Sequence, residues 1–202
     1  GAPIRQRRVC GTRGRDLRCS GRLPPRSESA RRTPVNTLLY EALRARRVTR
    51  NMTPDPVDSS HLDLVVQAAR YAPNAGNRRL QTIVPVADQR MLQLLRQVSP
   101  GMVARPMAAV VICIDTARAV DFGFDPHAPG LFIDVGTAAA TMLLAAQAVG
   151  LASCPVTSFS RAAVARLLAL GPGQDPRLII CLGHAAADQP PAMDASHQPA
   201  HA

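Results

Sequence analysis

Residues 131–150, LFIDVGTAAATMLLAAQAVG, limit what this chain can become more than any other stretch. Their apolar side chains fall on every side of a 3.6-residue helix instead of forming one stripe, so the helix needs cover all round. A bilayer or a protein interior could supply it. The span is only about the membrane length, roughly 20 residues or 30 Å. Asp134, Gly136, Thr137, Thr141 and Gln147 interrupt it, and flanking Lys/Arg anchors are missing. A protein interior is therefore expected, and no membrane. Gly136, Ala138, Ala139, Ala140, Ala145 and Ala146 let other backbones approach closely, which suits a helix pair across a two-fold axis. Small domains rarely bury such a helix alone, so a homodimer is expected.

The net charge of +10 is unevenly placed. Residues 1–36 hold ten Arg against Asp16 and Glu28; the rest hold fourteen Arg against twelve acids, so the domain is nearly neutral. The first 36 residues lack a hydrophobic period and are expected to form a disordered extension. Its arginines could hold nucleic acid by counterion release. It offers no aromatic side chain for stacking, and a solvated extension is the preferred reading. Cys10, Cys19, Cys113, Cys154 and Cys181 show no zinc-knuckle or redox spacing, which points to a reducing cytoplasm. No signal-peptide core is evident. Residues 37–185 then form one domain and 186–202 a polar tail.

The spacing of apolar residues predicts helices over 35–46, 59–71, 89–98, 131–150 and 161–170. Ser59 or Ser60 is the expected cap of the second. Strands are expected over 82–87, 108–114, 152–156 and 177–182, the run AAVVICI at 108–114 being a buried one. Helices outnumber strands, so the class is α+β or mixed α/β around one sheet, with one long buried helix.

The sequence holds no Walker loop, GxSxG elbow, HExxH or GxGxxG. Two constellations remain. Arg44, Arg46, Arg47 and Arg50 close the first helix, where guanidinium groups can grip phosphate; a solvated helix end is the plainer reading. In Ala72-Pro73-Asn74-Ala75-Gly76-Asn77, Gly76 can take positive φ and two Asn can pair with a heterocycle edge; an ordinary helix-ending loop is the plainer reading there. Cys154 reads as a small buried hydrophobe and His184, His197 and His201 as surface or capping residues, so no metal site is expected.

In order along the chain stand Arg46-Arg47-Val48-Thr49-Arg50, the 72–77 loop, Asp134-x-Gly136 with Leu143-Leu144-Ala145-Ala146, Cys154-Pro155-Val156-Thr157-Ser158-Phe159, and Leu182-Gly183-His184. Together they resemble the nitroreductase family of FMN-dependent oxidoreductases over about residues 37–185. The resemblance implies an α+β fold, a central, mostly antiparallel sheet flanked by helices, in a domain-exchanged homodimer with FMN at each subunit boundary. NAD(P)H would reduce the flavin, and a small-molecule electron acceptor, a nitroaromatic or quinone, would reoxidise it. It implies Arg46 on the phosphate, Arg47 and Val48 along the ribityl chain, and Arg50 and Asn77 at the pyrimidine edge. Pro73, Asn74 and Ala75 complete that loop, Pro155 and Val156 join the cofactor-binding set, and the backbone N–H of Thr157 or Ser158 would approach flavin N5. No catalytic side chain is implied, because the cofactor does the chemistry. Val48 stands where the family usually has Ser, Arg79-Leu80-Gln81 replaces a frequent Gln-Pro-Trp, and residues 185–202 contain no Lys or Arg. These departures keep open an alternative, a flavin- or nucleotide-binding member without efficient turnover.

Overall fold

The computed structural model describes residues 37–187. The expected extension, residues 1–36, and most of the expected tail, 188–202, lie outside the described residues. Along the chain run α1 (Thr37–Ala45), α2 (Ser59–Ala68), β1 (Gln81–Val86), α3 (Gln89–Gln97), β2 (Ala108–Asp115), α4 (Thr116–Asp121), α5 (Pro129–Ala148), β3 (Ala152–Val156), α6 (Arg161–Leu167) and β4 (Gln174–Gly183). Short 3-10 turns follow α2 at Ala69–Tyr71 and occupy the next loop at Ala75–Asn77. The four strands form one antiparallel sheet ordered β1-β2-β4-β3, so the α+β expectation holds.

Strand β2 is buried because both faces of the sheet are covered. Val110, Ile112 and Ile114 join Leu62 and Val65 of α2 and Val135 and Met142 of α5 in one apolar cluster. Val111 and Cys113 face Leu92 and Leu95 of α3 and Val164 of α6 in another. Double cover explains why AAVVICI shows no alternation. The two outer strands each carry a proline. Asp115 donates to the Leu80 carbonyl at 2.8 Å, a ladder parity that turns the nitrogen of Pro85 away from β2. Thr49 donates to the Ser153 carbonyl at 2.9 Å, which likewise turns Pro155 outward on β3.

Three local expectations are corrected. Asp58, not Ser59 or Ser60, caps α2, its carboxylate accepting from Ser60 N at 2.7 Å. Strand β4 begins at Gln174, with a register shift opposite Ile112 and Cys113. Ile112 faces Leu178 and Cys113 faces Pro176, so Arg177 is the extra residue of a bulge. Its guanidinium pairs with Asp175 and lies 4.7 Å from the Phe132 ring centroid. Helix α4 has no counterpart among the expected helices; Asp115 caps it by accepting from Arg118 N at 3.0 Å.

Helix α5 buries Leu131, Asp134, Val135, Ala138, Ala139, Met142, Leu143 and Ala146 within its own chain. Phe132, Ile133, Gly136 and Ala140 remain exposed on the other side. Helix α1 has no buried residue, and Leu38 (76% exposed), Leu39 and Leu43 are left open. Among the described residues, one side of α5 and the apolar positions of α1 are therefore left without cover.

Cys113, Cys154 and Cys181 are free and buried beneath α3 and α6. Burial pushes the Cys113 and Cys181 thiols up to about 12, with Asp175 adding to the effect at Cys113. Burial also raises Cys154, partly opposed by the Arg50 guanidinium. Below pH 9 folded and unfolded chains both hold these protons; between pH 9 and 12 only the unfolded chain releases them. Stability is expected to fall over that window by about 1.4 kcal/mol per pH unit for each of Cys113 and Cys181. Urea unfolding at stepped pH checks this, and Cys113→Ala with Cys181→Ala should flatten the slope. An unaltered slope would remove the two thiols from the account.

Candidate functional site

Two of the three segments singled out in the sequence dock on β3 or extend from it. After α1 the chain turns beside the sheet: Val48 bridges Ser153 in parallel, Thr49 is buried, and Met52 bridges Ala185 just beyond β4. Thr53 N donates to the His184 carbonyl at 2.9 Å and Ala186 N to the Asn51 carbonyl at 3.2 Å, so the chain stays docked past residue 185. The His184 ring lies 3.3 Å from the Pro56 carbonyl, as a packing residue would. Arg46 is partly buried, and Arg47 and Arg50 are exposed. Arg47 curls back to donate to the carbonyls of Arg44 and Arg46, capping the helix end. The Arg50 charge acts on the Cys154 thiol, so the two lie near each other.

Pro155 and Val156 end β3, opposite Ile180 and Ile179, and Thr157 and Ser158 follow as an exposed loop. That loop is pinned from behind. Gly101 N donates to the Ser158 carbonyl at 3.0 Å and Ser160 N to the Val98 carbonyl at 2.9 Å. A Cβ at Gly101 would come within 3.0 Å of Val156 Cγ1 and 3.1 Å of the Ser158 carbonyl, so a larger residue there would have to push these neighbours by a few tenths of an ångström. The N–H groups of Thr157 and Ser158 donate to nothing among the described residues.

The third segment sits on α5. Ala75 N donates to both carboxylate oxygens of Asp134, at 2.9 and 3.1 Å, and the Thr137 hydroxyl donates to the Pro73 carbonyl at 2.9 Å. Asp134 is only 5% exposed, and its carboxylate anchors the whole turn. Gly76 (φ 57), Asn77 (φ 55) and Arg79 (φ 51) all take left-handed conformations there. The loop's two asparagines differ. Asn74 Oδ1 accepts from Arg79 N at 2.9 Å and Asn74 Nδ2 donates to the Ala72 carbonyl at 3.2 Å, so this amide serves the loop itself. Asn77 is exposed, and its amide is the one presented outward.

The structure thus gathers Arg46, Val48, Arg50 and the β3 residues on one side and sets the 72–77 loop on the first half of α5. Sequence reasoning missed the anchors Asp134 and Thr137, which are about sixty residues from their partners. The only sequence signal was Asp134 itself, an acid inside an otherwise apolar helix.

This arrangement has known relatives. The nitroreductase family model matches residues 43–184, which contain all three segments. A Methanothermobacter thermautotrophicus protein, provisionally named NADH dehydrogenase/NAD(P)H nitroreductase, is 28% identical over 116 residues. That match takes in 56% of this chain and 57% of that protein, so the chain spans little more than half of it. Among solved structures, the NADPH:FMN oxidoreductase of Vibrio harveyi, complexed with NAD+, is 27% identical with a TM-score of 0.67, covering 81% of this chain and 74% of that one. An FMN-dependent nitroreductase from Clostridium difficile R20291 is 22% identical with a TM-score of 0.66, covering 78% and 92%. With about 70% of its residues inside the matched region and the same fold as these proteins, the chain belongs to the nitroreductase family.

Proposed function

We propose that this protein is an FMN-dependent oxidoreductase that takes hydride from NAD(P)H and passes it to a nitroaromatic, quinone or similar small acceptor, working as a homodimer. The observation that carries the reading is the split site. Cationic and free amide donors lie along β3, the outward amide of Asn77 lies on α5, and the apolar sides of α1 and α5 stay open in one chain. A second copy that covers those sides would bring donors from both chains to a common seam.

The residues present fit FMN by the chemistry of their donors. Arg46 would hold the phosphate and Val48 would line the ribityl chain, where the absent hydroxyl would remove one contact. Arg47 would exchange its hold on the α1 carbonyls for the same chain. Arg50 and Asn77 would donate to the pyrimidine edge, and the unengaged N–H groups of Thr157 and Ser158 would donate near N5. Positive charge and N–H dipoles at that end favour an anionic ring. FMN, when bound, supplies the hydride chemistry; the protein supplies position and field.

A single spectrum tests the proposal. Purified protein, alone and after FMN addition, is expected to show protein-bound flavin bands that bleach anaerobically with NADH or NADPH. Bound FMN that neither nucleotide reduces would favour the binding-only alternative. Saturating FMN that does not bind would overturn both.

A further inference from the structure

Beside the 72–77 loop, the C-terminal end of α2, the start of β1 and the middle of α5 enclose a cavity of about 300 Å³. It is lined by Val66, Ala69, Ile83 and Ala138, by Gln67 and Gln81, and by two arginines, Arg70 and Arg79. Four arginines cluster in this part of the surface, and their neighbours sort them into two kinds. Arg78 lies 4.7 Å from the Phe122 ring centroid, turned toward α4. Arg118 reaches the carbonyls of Arg79 and Arg78 at 3.4 and 3.5 Å. Arg70 and Arg79 instead line the cavity, and neither meets a carboxylate among the described residues.

The placement of Arg79 is built into the loop. Its N–H is held by Asn74 Oδ1 at 2.9 Å and its carbonyl by Arg118, fixing the residue at φ 51. A backbone held in a left-handed conformation by two side chains aims consecutive arginines in different directions, Arg78 to Phe122 and Arg79 to the cavity. Arg70 approaches from the turn after α2.

We propose that this cavity is a binding site for a small flat anion, an aromatic carboxylate, with its ring against Val66, Ala69, Ile83 and Ala138 and its carboxylate between Arg70 and Arg79. The chemistry is that of paired guanidinium groups beside apolar walls, which take a planar oxyanion and its ring together. The volume sits at the lower end for ligand pockets, suited to one ring and a substituent and too small for a dinucleotide. The site is separate from the donors assigned to FMN, and its existence does not depend on that assignment.

Benzoate and its neutral analogue benzamide, titrated against the full chain by ligand-observed NMR with and without FMN, test it. Benzoate is expected to bind at least about tenfold more tightly than benzamide. Arg70→Gln and Arg79→Gln are each expected to weaken benzoate about three- to tenfold and leave benzamide unchanged. Both side chains are exposed and Gln tolerates the Arg79 backbone no worse than Arg, so the variants should fold; circular dichroism verifies this. Equal binding of the two probes, no benzoate binding at millimolar concentration, or benzoate binding unaltered in the double variant would each overturn the site. The readout needs no turnover. A protein that binds benzoate in this way but takes up no FMN would defeat the proposed function alone, and one that reduces FMN but does not distinguish the probes would defeat this site alone.

Discussion

Arginine in place of Ala140 is expected to yield a monomer that no longer retains FMN. Ala140 lies one turn from Gly136 and two from Ile133 on the open side of α5, where residues small enough for close backbone approach alternate with apolar ones. In a two-fold pair each such position occurs twice, so one substitution places two like charges at the contact. Burying an unpaired charge costs several kcal/mol, and the large side chain adds a steric cost of about 1–3 kcal/mol. The dimer dissociation constant should rise at least about a hundredfold, which sedimentation would read directly. FMN uptake should fall with it, because the proposed seam needs both copies. A dimeric Ala140→Arg protein with undiminished flavin would remove α5 from the interface.

The second large effect is expected from Asp134→Ala. This change leaves the Ala75 N–H without its partner and frees a turn whose residues sit at unfavourable positive φ. Loss of a charge-assisted bond to a partly buried donor costs about 2 kcal/mol. FMN affinity should drop about tenfold in addition, since Asn77 is two residues from Ala75, which Asp134 anchors. Asp134→Asn keeps one acceptor oxygen and should retain most of both quantities. Urea unfolding and FMN titration separate the two effects. If Asp134→Ala changed neither, the carboxylate would be a bystander to the loop.

What could be read ahead of the structure follows from how far each signal reaches along the chain. The run 108–114 and the segment 131–150 announced themselves because continuous apolarity is a local property, and both became elements close to the expected bounds. The start of β4 was hidden because Asp175 and Pro176 look like turn residues, and only pairing with β2 around the Arg177 bulge makes them strand. Helix α4 has six residues and too few apolar positions to show a period. At the site, the arginine cluster and the asparagine loop each had an ordinary explanation, and family likeness, not periodicity, singled them out. The structure keeps part of each explanation: Arg47 does cap a helix end, and Asn74 does brace a turn. Asp134 and Thr137 could not be assigned in advance, since no local pattern tells a helix residue which distant loop it will hold.

The outward prolines on the two outermost strands bear on how this protein behaves when crowded. A sheet margin grows by recruiting a foreign segment through an unbroken row of main-chain donors, and Pro85 and Pro155 each delete a donor from that row. On β3 the neighbouring Ser153 carbonyl is already occupied by Thr49. Pairing of a foreign segment along either flank is thereby disfavoured.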